Sequence, residues 1–266
     1  MDNFKYYIPE TIEESIRIYR NSENPRYLAG GMTLIAAMKQ NLSSASDLID
    51  LSNIKLLKGV SLESNKIKIG SLTTHNEIAN SKIINNYIPS LSKLAKNIAD
   101  NAIRNIGTIG GSICNADPSA DYPAALVASN ANIYTNKSKI SANEFFIDMF
   151  ETSLSDEEIV IGIEFPIIEK GVYLKFESNA SKYAIVGVFT SLNKGFINIA
   201  VTGAANKVFL IKELSEMNIK SIKDIIIDNL DLNEYGIIGD INASVDYKIA
   251  LVKTFIKKSI QELISK

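Results

Sequence analysis

The chain has 266 residues, 46% hydrophobic and 22% charged, with a formal net charge of -2, enough for one large domain or two to three smaller ones. A near-balanced surface offers no basic face for nucleic acid, and every apolar stretch is too short and too interrupted to span a bilayer. Met1-Asp2-Asn3-Phe4 lacks the basic and apolar regions of a signal peptide, and a single cysteine, Cys114, excludes an internal disulfide and any all-cysteine iron–sulfur or zinc site, so a reducing, cytoplasmic setting is expected.

Pro9-Glu10-Thr11 followed by Ile12, Ile16 and Tyr19 predicts an amphipathic helix. Arg26-Tyr27-Leu28 reads as a strand running into Ala29-Gly30-Gly31, Thr33 to Lys39 as a helix and Asp47–Leu51 as another strand, so that about 1–55 forms a small α/β unit. Leu56–Leu62 and Lys66–Gly70 alternate like a hairpin. Thr74 and Glu77 have capping-box spacing, predicting a helix start. His75, the lone histidine, stands at that start. It reads as a surface or capping residue, with a supporting place beside a ligand as the alternative.

Ile88–Ile98 reads as a helix, Asn101–Pro118 as a long loop, Tyr122–Ser129 as a short apolar helix, and Asn132–Ile140 as hairpin-like strands. Asn143–Phe150 is expected to be helical and Glu158–Pro166 a strand, closing a second α+β unit over about 56–166. Tyr173–Phe176, Tyr183–Leu192 and Phe196–Thr202 predict an antiparallel sheet, and from Phe209 onward the chain looks helical. Val245, Ile249, Val252, Ile256 and Ile260 form the clearest helical stripe. Residues 170–266 thus read as a separate sheet-plus-helices domain.

Two glycine-rich segments carry the chemistry. In Ala29-Gly30-Gly31-Met32-Thr33-Leu34, paired glycines after a strand permit positive φ and close backbone approach, and a following helix start with a threonine hydroxyl suits a phosphate. Arg104 to Asn115 combines three glycines with hydroxyl and amide side chains. Its spacing is neither G-x-G-x-x-G nor G-x-x-x-x-G-K-[ST], so neither a Rossmann nor a P-loop site is supported. Two such loops suit a pyrophosphate held between them. Asp121 either caps the Tyr122–Ser129 helix or accepts a hydrogen bond from a ribose hydroxyl.

AGGMTLIAAMK and RNIGTIGGSICNADPSADYPAALVA resemble two segments of the FAD-binding subunits of the molybdenum hydroxylases, the xanthine dehydrogenase and carbon monoxide dehydrogenase medium-subunit family. The resemblance continues through YLKFESNASKYAIVGV and IAVTGAANKV to DINASVDYKIALV, similar to the family's D-x-x-A-S-x-x-Y-R ending. It implies an α+β fold: a two-part FAD-binding region of the PCMH/vanillyl-alcohol-oxidase-like type over 1–166, then a C-terminal antiparallel sheet with helices over 170–266.

By position, the resemblance places the pyrophosphate on Ala29, Gly30, Gly31, Met32 and Thr33 and on Thr108, Ile109, Gly110, Gly111 and Ser112. It places the adenosine ribose on Asp121, the adenine against Ile159 or Val160, and Lys175 and Tyr183 near the flavin. The family's Arg-Arg and Asp in the third segment are Ser178-Asn179 and Lys182 here, and its TIGGN is TIGGS. No cysteine-rich insertion is present, so an additional iron–sulfur cluster is not expected. The implied function is electron transfer: FAD takes electrons from a [2Fe–2S] small subunit served by a molybdopterin-binding large subunit and passes them to NAD⁺ or another acceptor. No residue need act as acid or base. A free-standing flavin oxidoreductase and a flavin-less structural subunit are the alternatives.

Overall fold

The computed structural model describes residues 3–265; Met1 and Asp2, at the head of the segment read above for a signal peptide, and Lys266 lie outside them. Three strands, Lys5–Tyr7, Asp47–Asp50 and Pro25–Leu28, form a parallel sheet with Asp47–Asp50 in the centre. Parallel strands need crossovers, and the helices Ile12–Arg20 and Leu34–Lys39 supply them. The first begins where Thr11 accepts a hydrogen bond from the Glu14 N–H, with Glu13 and Glu14 at its positive end and Arg17 and Arg20 in its last turn.

A second sheet is antiparallel throughout, in the order Val60–Glu63, Lys66–Gly70, Val160–Pro166, Asn132–Thr135, Lys139–Ser141. Its alternation sends Ile67, Ile69, Ile163 and Phe165 into the largest core cluster, against Ile78, Leu91, Leu94, Ile109, Ile113, Tyr122 and Leu126 from the covering helices. A third, five-stranded antiparallel sheet is built on Lys170–Glu177, Ala184–Asn193 and Phe196–Thr202, with two short strands on the far edge of the last. It is covered on both faces, which is why Ala184–Asn193 is buried at every position but the last. Phe189 and Ala200 pack towards the large cluster, while Val186, Val188, Ile199 and Val201 meet Val252, Ile256 and Ile260 of the Val245–Ile264 helix. No helix is long and apolar enough to cross a membrane among the described residues.

Four expectations are corrected. Asn101–Pro118 is mostly two short helices, Asn101–Ile106 and Ile109–Asn115, capped by the side chains of Asp100 and Thr108. The Leu56–Leu62 strand starts only at Val60, because the backbone before it runs through tight turns at Leu51–Asn53 and Lys55–Leu57. Asn143–Phe150 is a single turn, Ala142–Phe145, followed by Phe146–Asp148 paired with Glu151–Thr152 across a turn in which Phe150 has φ 56°. The segment after Phe209 is not helical at once: Phe209–Leu210 and Met217–Asn218 both pair with Phe196–Thr202, satisfying the open edge of that strand.

Candidate functional site

The two glycine-rich segments are neighbours. Gly30 is packed so tightly on the end of the Asn101–Ile106 helix that a Cβ there would stand 2.2 Å from the Ile106 carbonyl oxygen and 2.9 Å from Gly107 Cα. Gly31 has φ +69°, the left-handed region that glycine enters without penalty. Beyond it the chain turns into the Leu34–Lys39 helix, with the Ile35 N–H donating to the Gly31 carbonyl. The N–H groups of Gly30, Gly31, Met32, Thr33 and Leu34 meet no acceptor among the described residues. Five consecutive open donors on one short segment demand either water or an anionic ligand.

The second segment differs. Ile109 N–H donates to the Thr73 carbonyl, Gly110 N–H to the Ser71 carbonyl, Gly111 N–H to Thr108 Oγ1 and Ser112 N–H to the Thr108 carbonyl. The backbone donors expected to grip a phosphate here are therefore spent inside the chain. Gly110 is buried, and a Cβ on it would lie 2.6 Å from the Ser71 carbonyl oxygen; it is a glycine for packing. Gly111 and the Ser112 side chain are half-buried, and the Ser112 hydroxyl makes no hydrogen bond within the described residues.

Asp121 does not cap its helix. Its carboxylate accepts from the Tyr173 hydroxyl and from Lys175, whose Nζ lies 3.1 Å from Oδ1 and 3.3 Å from Oδ2. Burial pushes this carboxyl up to about 6, with Lys175 and Tyr173 pulling it back. Lys175 also donates to the Asn97 carbonyl at 2.7 Å and the Lys182 carbonyl at 3.0 Å. Its three N–H groups thus have three partners, and the ammonium expected near a flavin is an internal strut with nothing left to donate.

Around it, Thr202 donates to the Pro118 and Ala120 carbonyls, Gly203 N–H to Pro118, and Ala184 N–H to Ser119. The third sheet thereby clamps the segment behind the glycine helix. Ile159 and Val160 are also buried, and the Ile159 backbone is closed by a reciprocal pair of bonds with Asn136. Neither side chain presents a surface to an adenine ring.

Tyr183 is 40% exposed, and its phenol faces the Thr33 hydroxyl, joining the third segment to the first. It borders a cleft of about 200 Å³ with Asp117, Ser119, Ser178 and Asp240. A larger cleft, about 360 Å³, lies at the other end of the Pro25–Leu28 strand, beside Arg20 and Arg26. Met32 and Ile106 leave apolar surface open next to the five free donors. No cluster of three or more histidine, cysteine or carboxylate side chains suits a metal among the described residues, and Cys114 is exposed.

Sequence reasoning missed two features. His75 is buried, 5% exposed, rather than on the surface, because the helix it opens lies against Tyr122 and Gly107. Lys248 is buried too; it pairs with Asp240 at 2.7 Å and donates to the Gly203 carbonyl, holding the closing signature to the third sheet. The D-x-x-A-S-x-x-Y-R spacing carried that second signal.

A family model for the FAD binding domain in molybdopterin dehydrogenase matches residues 2–168. The chain is 30% identical over 275 residues to the glyceraldehyde dehydrogenase medium chain of Sulfolobus acidocaldarius, covering 98% of each. It is 27% identical to the carbon monoxide dehydrogenase medium chain of Hydrogenophaga pseudoflava, covering 97% of this chain and 96% of that one. A solved carbon monoxide dehydrogenase from Hydrogenophaga pseudoflava, lacking the Mo-pyranopterin moiety of its cofactor, superposes with a TM-score of 0.87 at 26% identity, over 98% of this chain and 96% of the other. The chain belongs to the molybdopterin dehydrogenase FAD-binding family, the medium subunits of oxidoreductases of the carbon monoxide dehydrogenase and xanthine dehydrogenase type.

Proposed function

We propose that this chain binds FAD and serves as the electron-transfer subunit of a molybdenum hydroxylase complex, beside a molybdopterin-binding large subunit and a [2Fe–2S] small subunit. The observation that carries the reading is the run of open N–H donors from Gly30 to Leu34, set against Ile106 and Gly107. A pyrophosphate is the part of a flavin cofactor that needs such donors, and FMN does not have one. Exposed Met32 and Ile106 beside the donors suit the apolar faces of a dinucleotide's rings, and Tyr183 over Thr33 suits the flavin end.

In this reading residues 1–166 supply the FAD-binding region, and 170–266 the domain whose sheet fixes Asp117–Asp121. The second glycine segment contributes the Ser112 hydroxyl and close packing rather than backbone donors. Asp121 acts as a strut, since a ribose hydroxyl would have to displace Tyr173 or Lys175. When bound, the FAD supplies one- and two-electron chemistry; the protein positions it and sets its surroundings. The acceptor is NAD⁺ or another oxidant.

Denaturing the purified chain and separating the released flavin by HPLC tests this. FAD is the expected product, or FAD uptake by the apo chain. FMN alone, or no uptake from excess FAD, overturns the reading.

A further inference from the structure

The Tyr122 side chain is fully buried, with its hydroxyl oxygen 3.2 Å from His75 Nδ1. A buried hydroxyl must place its proton on an acceptor, and Nδ1 is the acceptor the Tyr122 hydroxyl has among the described residues. The bond therefore runs from the Tyr122 O–H to Nδ1, which puts the imidazole proton on Nε2.

That Nε2–H has no partner among the described residues. It is also not sealed away: the fully buried side-chain polar atoms without a partner there are Ser90 Oγ and Ser129 Oγ. The ring is 5% exposed, yet its one donor stays reachable. Its place is specific. A Cβ on Gly107 would stand 2.8 Å from Nε2, and Gly107 Cα lies in turn against Gly30, the first of the open donors. His75, Gly107 and Gly30 form one contiguous stack, and the Arg104 guanidinium acts on the ring from the neighbouring helix. The surroundings favour an acceptor bearing negative charge.

We propose that His75 Nε2–H donates a hydrogen bond to a phosphate oxygen of the bound pyrophosphate, adding a side-chain donor to the Gly30–Leu34 backbone row. The inference rests on the FAD reading above and assigns His75 a binding role within it. The ring stays neutral, so it contributes direction rather than charge. Gly107 is glycine because a side chain there would cover the donor.

His75 is the only histidine in the chain, so its ring gives one unambiguous signal in ¹⁵N-labelled protein. The full chain without ligand is expected to show the neutral Nε2–H tautomer. Saturating FAD is expected to move the Nε2 and Hε2 resonances, ADP to move them in the same direction, and riboflavin to leave them in place. In fluorescence titrations His75→Phe is expected to weaken FAD binding about ten- to a hundredfold, the effect of losing a hydrogen bond to a charged group. His75→Gln, whose amide nitrogen reaches where Nε2 stood, is expected to restore most of it.

An Nδ1–H tautomer overturns the inference. So do FAD binding that leaves the His75 signals unmoved, and a response to riboflavin but not ADP; the FAD reading survives each of these. Absence of FAD binding overturns both. If His75→Phe fails to fold, the wild-type resonances alone decide.

Discussion

Lys175 stands with its Nζ 3.1 Å from Asp121 Oδ1, in an ion pair whose side chains are 4% and 5% exposed. The two residues join the segment behind the glycine helix to the Lys170–Glu177 strand of the third sheet. Desolvating both charges is costly, and the Tyr173 hydroxyl and two backbone carbonyls complete the set of partners that offsets it. Lys175→Met strands a buried carboxylate, and a loss of about 3–5 kcal/mol in urea denaturation is the expected result. Burial holds the paired Asp121 at about 6, and losing Lys175 raises it further. The deficit relative to wild type should therefore shrink as pH is lowered towards that value and level off below it, where the carboxyl is neutral in both proteins. A deficit independent of pH would mean that Lys175 matters for packing alone.

The glycines separate binding from folding. Gly30→Ala places a methyl group 2.2 Å from the Ile106 carbonyl oxygen and must spread the two segments apart. FAD affinity is expected to fall at least about tenfold, the equivalent of one lost hydrogen bond of about 1.4 kcal/mol. Gly111→Ala meets Thr108 Oγ1 at 3.0 Å and Ala29 Cβ at 3.5 Å. It disturbs mainly the helix cap, costing about 1 kcal/mol of stability. Flavin fluorescence and thermal melts of the two variants, read together, distinguish these effects.

Gly110→Val is expected to damage the fold first. Gly110 is buried, and any Cβ there would meet Ser71 at 2.6 Å from both its Cβ and its carbonyl oxygen. Overpacking a rigid site costs about 1–3 kcal/mol, and here the neighbour is backbone that cannot rotate away. The variant should melt well below wild type without any ligand. A melt equal to that of the apo wild type would show that the Ser71 turn yields.

What was legible in the sequence was local. Thr74 and Glu77 bond reciprocally, side chain to backbone in both directions, as their spacing requires. The Val245–Ile264 helix forms where its stripe of branched residues lies, burying Val252, Ile256 and Ile260 and half-burying Ile249, while Val245 at its start is exposed. The two glycine segments were recognisable as a pair, and the structure brings them into contact at Gly30 and Gly107.

What failed depended on tertiary partners. Asn101–Pro118 looks like a loop because three glycines and three asparagines interrupt it. Burial of Ile109 and Ile113 and the caps at Asp100 and Thr108 nevertheless make it helical. Two-residue strands such as Phe209–Leu210 exist only because a longer strand lies beside them. Lys175 and Asp121 meet across 54 positions, and no local pattern announces such a pair.

The acidity of His75 supplies the last test, because desolvation, with Arg104 adding to it, lowers its pKa to about 4. The folded protein therefore keeps the ring neutral at pH values where the unfolded chain, near 6.5, has taken up a proton. Stability from this group is present above pH 6.5 and is lost as pH falls from 6.5 to 4, by up to about 3 kcal/mol. Asp121 acts in the opposite sense: its raised pKa makes the folded state the better proton acceptor between about 4 and 6, so the two partly cancel in the total stability. The difference between wild type and His75→Gln removes that cancellation. Relative to wild type, His75→Gln should gain stability as pH is lowered from 7.5 to 4.5 in urea denaturation. An NMR titration of the single imidazole should give a midpoint near 4. A midpoint near 6.5, with no change in the stability difference across that range, would place the ring in open solvent and contradict its burial against Tyr122 and Gly107.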